Sequence, residues 1–220
     1  LLAWGAAVPS LALPAHDGLI IDDVTTVWNG RFPLQRVAFR NRRFDGAMSA
    51  QRVWELWRRG AAAAVLPYDP VRDRVVIIEQ FRLPALAAGL EPVMVELPAG
   101  LAESGEAAEA IVRREAREEM GLSIGRVHRI GAFLLTPGGA DEECTLFAGE
   151  VSAPAGGVDG LIGYAGLASE AEDIRVRAVD ASAAIEAALA GRYPNSVTAI
   201  GLLWLAARRD WLRREWAAPA

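Results

Sequence analysis

The 220-residue chain contains no lysine, so all 23 of its positive charges are arginines. Mechanisms that need a lysine amine are thereby excluded, Schiff-base chemistry and the phosphate-binding lysine of a P-loop among them. Cysteine is nearly absent. The single Cys144 can form neither an internal disulfide nor a multi-cysteine zinc centre, and a reduced, cytoplasmic compartment is the expectation. His16 and His128 are the only histidines, and neither has a second nitrogen or sulfur ligand nearby in sequence. No Gly-x-Ser-x-Gly elbow accompanies them, which leaves a Ser-His-Asp hydrolase unsupported. Positive charge is not in excess either. With 28 acidic residues the net charge is −5, which gives no broad electrostatic footprint for nucleic acid. Long apolar runs are also missing. The charge-free stretch from Leu1 is broken by Pro9 and Pro14 and ends at His16. It is shorter than the ~20 residues a spanning helix needs, and it lacks the basic start of a signal peptide. Neither nucleic acid nor membrane is an expected partner.

What the chain does have is apolar side chain to bury: 52% of residues are hydrophobic and the mean hydropathy is +0.18. This argues against disorder and for one large domain or two small ones. Residues 1–17 read as an appended tail. Strand-like runs follow at Leu19–Trp28, Leu34–Phe39, Ala61–Leu66 and Val75–Phe81, with a turn around Tyr68–Asp73. The continuously apolar Val75–Ile78 predicts a strand buried on both faces. Pro92–Leu97 is a further short strand. Glu106–Met120 predicts a helix with Ala107, Ala110, Ile111 and Ala116 inward, closed by Gly121 in a left-handed conformation. Strands are expected again at His128–Leu135, Thr145–Val151 and Ile174–Val179. Helices at Ala181–Ala190 and Ser196–Trp216 close the chain. The last carries Ile200, Leu203, Trp204 and Trp211 at helical spacing, as core or subunit packing.

The chemistry concentrates between Gly100 and Leu122, GLAESGEAAEAIVRREAREEMGL. Glu115, Glu118 and Glu119 stand at i, i+3 and i+4, so their carboxylates share one helix face. Three like charges there need compensation. Arg114 and Arg117 offset part of it, and the remaining oxygen density suits a hard divalent cation such as Mg²⁺. A generic Glu-Arg helix would be a solvated charged face. The full spacing reverses that preference: Gly100, five residues, Glu106, seven residues, Arg114-Glu115-Ala116, one residue, Glu118-Glu119, one residue, Gly121-Leu122. It resembles the Nudix hydrolase signature Gx5Ex7REUxEExGU at every fixed position.

That resemblance implies an α/β/α sandwich around a mixed sheet, here with an N-terminal β extension. It also implies metal-dependent attack of water on a nucleoside diphosphate linked to another group. The flanking sequence narrows the branch. Glu79-Gln80-Phe81-Arg82, Glu96-Leu97-Pro98-Ala99-Gly100, Pro137 fifteen residues past the box, and Ser169–Val176 with its acidic loop all resemble ADP-ribose pyrophosphatases. The resemblance then implies roles. The Ala99 carbonyl, Glu115, Glu119 and Glu172 would hold Mg²⁺, with Mn²⁺ as a substitute. Glu118 would bind a further metal or support the first. Glu170 would activate the water, though Glu170 and Glu172 could exchange roles. Arg114 and Glu106 would hold helix and loop in shape. Phe32, Arg59, Arg82, Leu101, Thr136, Pro137, Gly138 and Glu142 would contact substrate, Phe32 by stacking on adenine with Trp28 as second choice. Trp54 stands where some relatives have an arginine near adenine, a departure that alters or removes that contact.

The implied activity is hydrolysis of ADP-ribose to AMP and ribose 5-phosphate by a cytoplasmic homodimer. Residues 18–58 would form the dimer-making extension and residues 59–216 the hydrolase domain. The SQPWPFPxS array of NADH pyrophosphatases is absent. Two alternatives stand beside this reading. One is a pyrophosphatase for another ADP-sugar or sugar nucleotide. The other is a non-hydrolytic domain that senses ADP-ribose, against which the intact box argues.

Overall fold

The computed structural model describes residues 12–103 and 105–217, and most of the expected tail, residues 1–11, lies outside the described residues. Two sheets organise the chain. β1 (Leu19–Trp28), β2 (Leu34–Asn41) and β3 (Arg52–Trp57) form an antiparallel meander of their own. The second sheet begins with β4 (Ala61–Asp69) and β5 (Arg74–Phe81), joined by the turn that Tyr68–Asp73 predicts. A short helix α1 (Leu83–Ala87), β6 (Val93–Glu96), β7 (Ala99–Leu101) and helix α2 (Ala108–Met120) follow. β8 (Val127–Leu134), β9 (Glu143–Glu150), β10 (Leu161–Ala165) and β11 (Ile174–Asp180) complete the strands. Helices α3 (Ala181–Leu189) and α4 (Ser196–Ala217) end the chain.

The second sheet runs β10-β11-β5-β4-β9-β8, antiparallel except for the parallel β4–β9 pair. Strand alternation makes it the middle layer of a sandwich. Ala62, Ala64, Leu66 and Tyr68 of β4 face one core, with Leu202, Leu205 and Leu212 of α4 and Ala184 of α3. Ala63 and Val65 face the other, with Ile111, Val112 and Ala116 of α2. Val75–Ile78 is buried throughout, as its apolar run predicts. The α/β/α architecture expected from the resemblance is the one observed.

β4 and β5 pair only next to their turn, at Tyr68–Val75 and Asp69–Arg74. Beyond it they part. β6 pairs with β5 and β7 pairs with β4, so the segment Val93–Leu101 fills the opening. The Val65 N–H donates to the Pro98 carbonyl at 3.0 Å across this gap. Pro67 lies two residues on, on the same strand edge, where no ladder partner stands and its missing N–H costs nothing. The segment that leads into the signature helix is thus built into the middle of the sheet.

Several expectations need correction. The inward stripe of α2 is Ile111, Val112, Ala116, Glu119 and Met120; Ala107 and Ala110 are exposed. The helix starts at Ala108, with Ala107 extended at its N-cap, and the Glu106 carboxylate accepts from the Glu103 N–H at 3.3 Å outside it. Gly121 does close it at φ +68°. On α4 the buried residues are Thr198, Gly201, Leu202, Leu205, Leu212 and Trp216, whereas Leu203 is 42% exposed. Ile200, Trp204 and Trp211 are partly buried and pack against the core as expected, the two tryptophans flanking His128 at centroid distances of 5.5 and 4.9 Å. Arg117 is exposed and forms no ion pair among the described residues, so compensation of the carboxylates falls to Arg114. α1, β3, β7 and β10 are elements that the sequence reading did not identify.

Candidate active site

α2 presents its carboxylates to the segment Glu96–Leu101. Glu119, only 2% exposed, accepts the Ala99 N–H through Oε2 at 2.9 Å. Glu115 lies against Gly100 so closely that a Cβ there would fall on its carboxylate. This is why glycine stands at the head of the signature: any other residue would displace the glutamate. Arg114 serves as the counter-charge. It meets Glu106 at 3.2 Å, Glu115 at 2.7 Å and Glu118 at 3.0 Å, and it reaches the Leu101 carbonyl at 3.4 Å. These carboxylates hold its guanidinium well above the usual arginine range.

The site carries more negative charge than Arg114 neutralises. Burial pushes Glu115 up to about 7, with the charges of Glu118 and Glu172 adding to the effect and Arg114 opposing it. Burial, Glu115 and Glu172 push Glu119 well above the usual carboxylate range. Among the described residues, no three His, Cys, Asp or Glu side chains already converge as a closed ligand set. The donor chemistry nonetheless fits a hard divalent cation. Buried carboxylates that repel one another around a backbone segment are what such an ion would neutralise.

The acidic loop stands over this cluster. The Gly166 N–H donates to the Glu118 carbonyl at 3.1 Å, which ties the loop to α2. Glu172 accepts the Leu167 N–H at 3.1 Å, and its charge acts on Glu115, Glu119 and Arg82. Glu170 ends the single helical turn Ala168–Glu170, is exposed, and faces the charge of Arg31. Arg82 leaves the end of β5 and donates to Glu96 at 3.0 and 2.7 Å. Glu96 is buried and also accepts from Asn195, the residue preceding α4, at 3.2 Å.

A second cluster gathers where β3 meets β4. The Arg59 guanidinium lies 4.4 Å from the Phe32 ring centroid and 4.8 Å from that of Trp57. Phe32 and Trp57 pack edge to face at 5.9 Å, and Arg59 pairs with Glu142 at 2.5 Å. The Thr136–Gly138 loop is fastened alongside, since the Trp57 N–H donates to the Gly139 carbonyl at 2.7 Å. Phe32, Arg59, Glu142 and this loop, far apart in sequence, are thus brought together. Arg31 lies 5.2 Å from the Phe32 ring on this side and feels the charges of both Arg59 and Glu170. Trp28 is 67% exposed. Trp54 packs edge-on against Phe39 at 5.2 Å, with Arg52 over its ring. It lines an open depression of about 550 Å³ with Leu34, Arg36, Val53, Glu55, Gly138 and Gly139.

Sequence reasoning missed Trp57, Arg58 and Asp141. Trp57 reads as one more strand aromatic, and Asp141 is hidden in the acidic run Asp141-Glu142-Glu143. Their pairing across more than 80 residues leaves no local signal.

The comparisons agree with this geometry. A family model described as "NUDIX domain" matches residues 58–161. The ADP-ribose pyrophosphatase of Escherichia coli (strain K12) is 41% identical over 192 residues, spanning 87% of this chain and 90% of that protein. That of Haemophilus influenzae is 37% identical over 87% of each. A GDP-mannose pyrophosphatase of Yersinia pestis is 35% identical over 54% of this chain and 60% of its own length. Among solved structures, one titled "Crystal structure of ADP compounds hydrolase" superposes with a TM-score of 0.63 over 92% of this chain and 98% of that one; at 20% identity it supports the fold alone. The chain belongs to the Nudix family and aligns over most of its length with that family's ADP-ribose pyrophosphatase branch.

Proposed function

We propose that the protein hydrolyses the pyrophosphate bond of ADP-ribose, giving AMP and ribose 5-phosphate. The observation that carries the chemistry is the buried Glu119 and half-buried Glu115 set against the Ala99–Gly100 backbone, with the charge of Glu172 acting on both from the loop. The choice of ADP-ribose rests on the likeness to ADP-ribose pyrophosphatases over 87% of the chain.

In this reading Glu115, Glu119, Glu172 and the Ala99 carbonyl hold Mg²⁺, or Mn²⁺ in its place. Such an ion supplies charge neutralisation on phosphoryl oxygens and a more acidic water. The chain's own groups do the rest. Arg82, fixed by Glu96, offers donors to a phosphate or the terminal ribose. Phe32 and Arg59 present a face and a cation to the adenosine half, and Leu101 with Thr136, Pro137, Gly138 and Glu142 lines the approach. The water oxygen bonds to phosphorus as the bridging P–O bond breaks, and its proton passes to Glu170, or to Glu172 if the two exchange roles, while Glu118 supports the metal cluster. Glu170 is suited to this because it stands on an exposed loop turn that can close over bound substrate.

Residues 18–58 are proposed as a dimer-forming extension and residues 59–216 as the hydrolase domain. Ile20, Val24, Val27, Val53 and Trp57, all at least 39% exposed, leave the small sheet with apolar surface for a second copy to cover. No helix among the described residues is long and apolar enough to cross a membrane. A reducing compartment such as the cytoplasm suits the lone buried Cys144, whose thiol burial pushes up to about 12.

The likeness to GDP-mannose pyrophosphatases favours sugar nucleotides as the second reading. The test is a product assay with Mg²⁺ on ADP-ribose, NADH, ADP-glucose and GDP-mannose in parallel. AMP formed fastest from ADP-ribose, and only with metal, is the expected result. Faster turnover of another substrate would overturn the substrate assignment. Tight ADP-ribose binding with no turnover of any compound would overturn the hydrolase reading in favour of a sensor.

A further inference from the structure

Arg59 is aimed by something other than its own contacts. The Asp141 carboxylate accepts the backbone N–H of Arg59 at 2.6 Å and that of Gly60 at 3.1 Å, both on Oδ1. Its Oδ2 accepts from Arg58 Nε at 2.7 Å. Arg58, 6% exposed, passes between the sheets and donates through Nη1 to Gln35 of β2, 2% exposed, at 2.7 Å. The Arg58 N–H also donates to the Pro33 carbonyl at 2.9 Å, next to Phe32. The Asp141 N–H in turn donates to the Trp57 carbonyl at 3.2 Å. One carboxylate therefore joins the Thr136–Glu142 segment, the β3–β4 corner that bears Arg59, and the small sheet that bears Phe32.

We infer that Asp141 is a positioning residue: it sets the backbone from which Arg59 reaches the adenosine half of the substrate and, through Arg58, the spacing between Arg59 and Phe32. This rests on the substrate reading above. Burial raises the affinity of Asp141 for a proton, but the Arg58 guanidinium and the two N–H groups outweigh it and keep the carboxyl below its ordinary range. The group is thus charged at any working pH. Its carboxylate bonds run to Arg58 and to the Arg59 and Gly60 N–H groups and not to the carboxylates of α2, so its removal should act on binding and leave the metal-dependent step alone. A small displacement of a substrate contact is enough to matter.

The experiment compares wild type, D141N, R59A and the double variant D141N/R59A by kcat, KM for ADP-ribose and the Mg²⁺ concentration for half-maximal rate, with a thermal melt to verify folding. D141N should raise KM about tenfold with kcat within about threefold and the Mg²⁺ midpoint unchanged. The double variant should be no worse in KM than R59A alone, because Asp141 acts through Arg59. A merely structural role would lower the active fraction instead, so a fall in kcat at unchanged KM overturns the inference, as do multiplicative KM effects in the double variant. If D141N shows no cooperative melt, R58Q is read by the same criteria; it leaves Asp141 on the corner N–H groups but cuts the tie to β2, and an unchanged KM would overturn the inference. Failure of the wild type to cleave ADP-ribose would refute the substrate reading separately. The same ratios would then be taken on the nucleotide sugar it does cleave or, with none, on the Kd for ADP-ribose.

Discussion

Without a cation, the crowded carboxylates should make the protein less stable as pH rises from the ordinary carboxylate range towards neutrality. In the fold Glu115 is pushed up to about 7, from an ordinary 4.5, chiefly by burial. Between those two pH values the folded chain holds a proton that the unfolded chain has released, so each step upward favours unfolding. A displacement of that size corresponds to about 3 kcal/mol. Glu119 moves in the same direction. The carboxylates held low by arginines and N–H groups, Asp69, Asp73, Glu79, Asp141 and Glu150, have the opposite sign. Their contribution is complete above the ordinary carboxylate range, so it does not mask the effect between pH 5 and 7.5. For a chain of this size, about 3 kcal/mol lowers Tm by roughly 5–10 °C. The assay is a series of thermal melts across that range in EDTA and again in Mg²⁺. Mg²⁺ should restore Tm more at pH 7.5 than at pH 5, because it binds the charged carboxylates and not the unfolded chain. E115Q in EDTA should show a much flatter profile. A wild-type Tm in EDTA that is level or rising, or an E115Q profile as steep as wild type, would refute the reasoning.

Two further predictions test the same site. Gly100→Ala should lower kcat by about a hundredfold with the far-ultraviolet spectrum unchanged, since a Cβ only 1.6 Å from Glu115 Oε1 would push that carboxylate away by more than about an ångström; activity within threefold of wild type would contradict the close approach. Of Glu170→Gln and Glu172→Gln, the Glu172 variant should regain rate as Mg²⁺ is raised and the Glu170 variant should not, in keeping with Glu172 acting on Glu115 and Glu119; the reverse pattern would exchange the two roles.

Much of the fold is legible locally. β1 spans Leu19–Trp28, the bounds of its strand-like run, and Val75–Ile78, α2, α3 and α4 fall within a residue or two of where composition and periodicity put them. The misses have particular causes. β7 is three residues long and exists because β4 and β5 part around it, which no window of sequence reveals. α1 follows Arg82 with Pro84 in its first turn and is too short for a periodic signal. The inward stripe of α2 departs from the hydrophobic pattern because Ala107 and Ala110 lie exposed while a glutamate, Glu119, takes one of the inward places. A carboxylate on the core face contradicts hydrophobic patterning, and it does so where the site needs it.

The sequence alone pointed to the family, through the resemblance of its signature, and put Glu115, Glu118 and Glu119 on one helix face, because spacing along one helix fixes which side chains share it. It also excluded lysine, multi-cysteine and basic-surface chemistries by composition. Only the tertiary structure decided that Glu119 is buried and Glu115 half-buried against the Ala99–Gly100 backbone, and that desolvation raises their proton affinity. Only it brought Phe32, Trp57, Arg59 and Glu142 into one cluster and set Asp141 beneath them. Those contacts join residues up to 83 positions apart, and their energies depend on burial, a property of the packed chain and not of any segment of it.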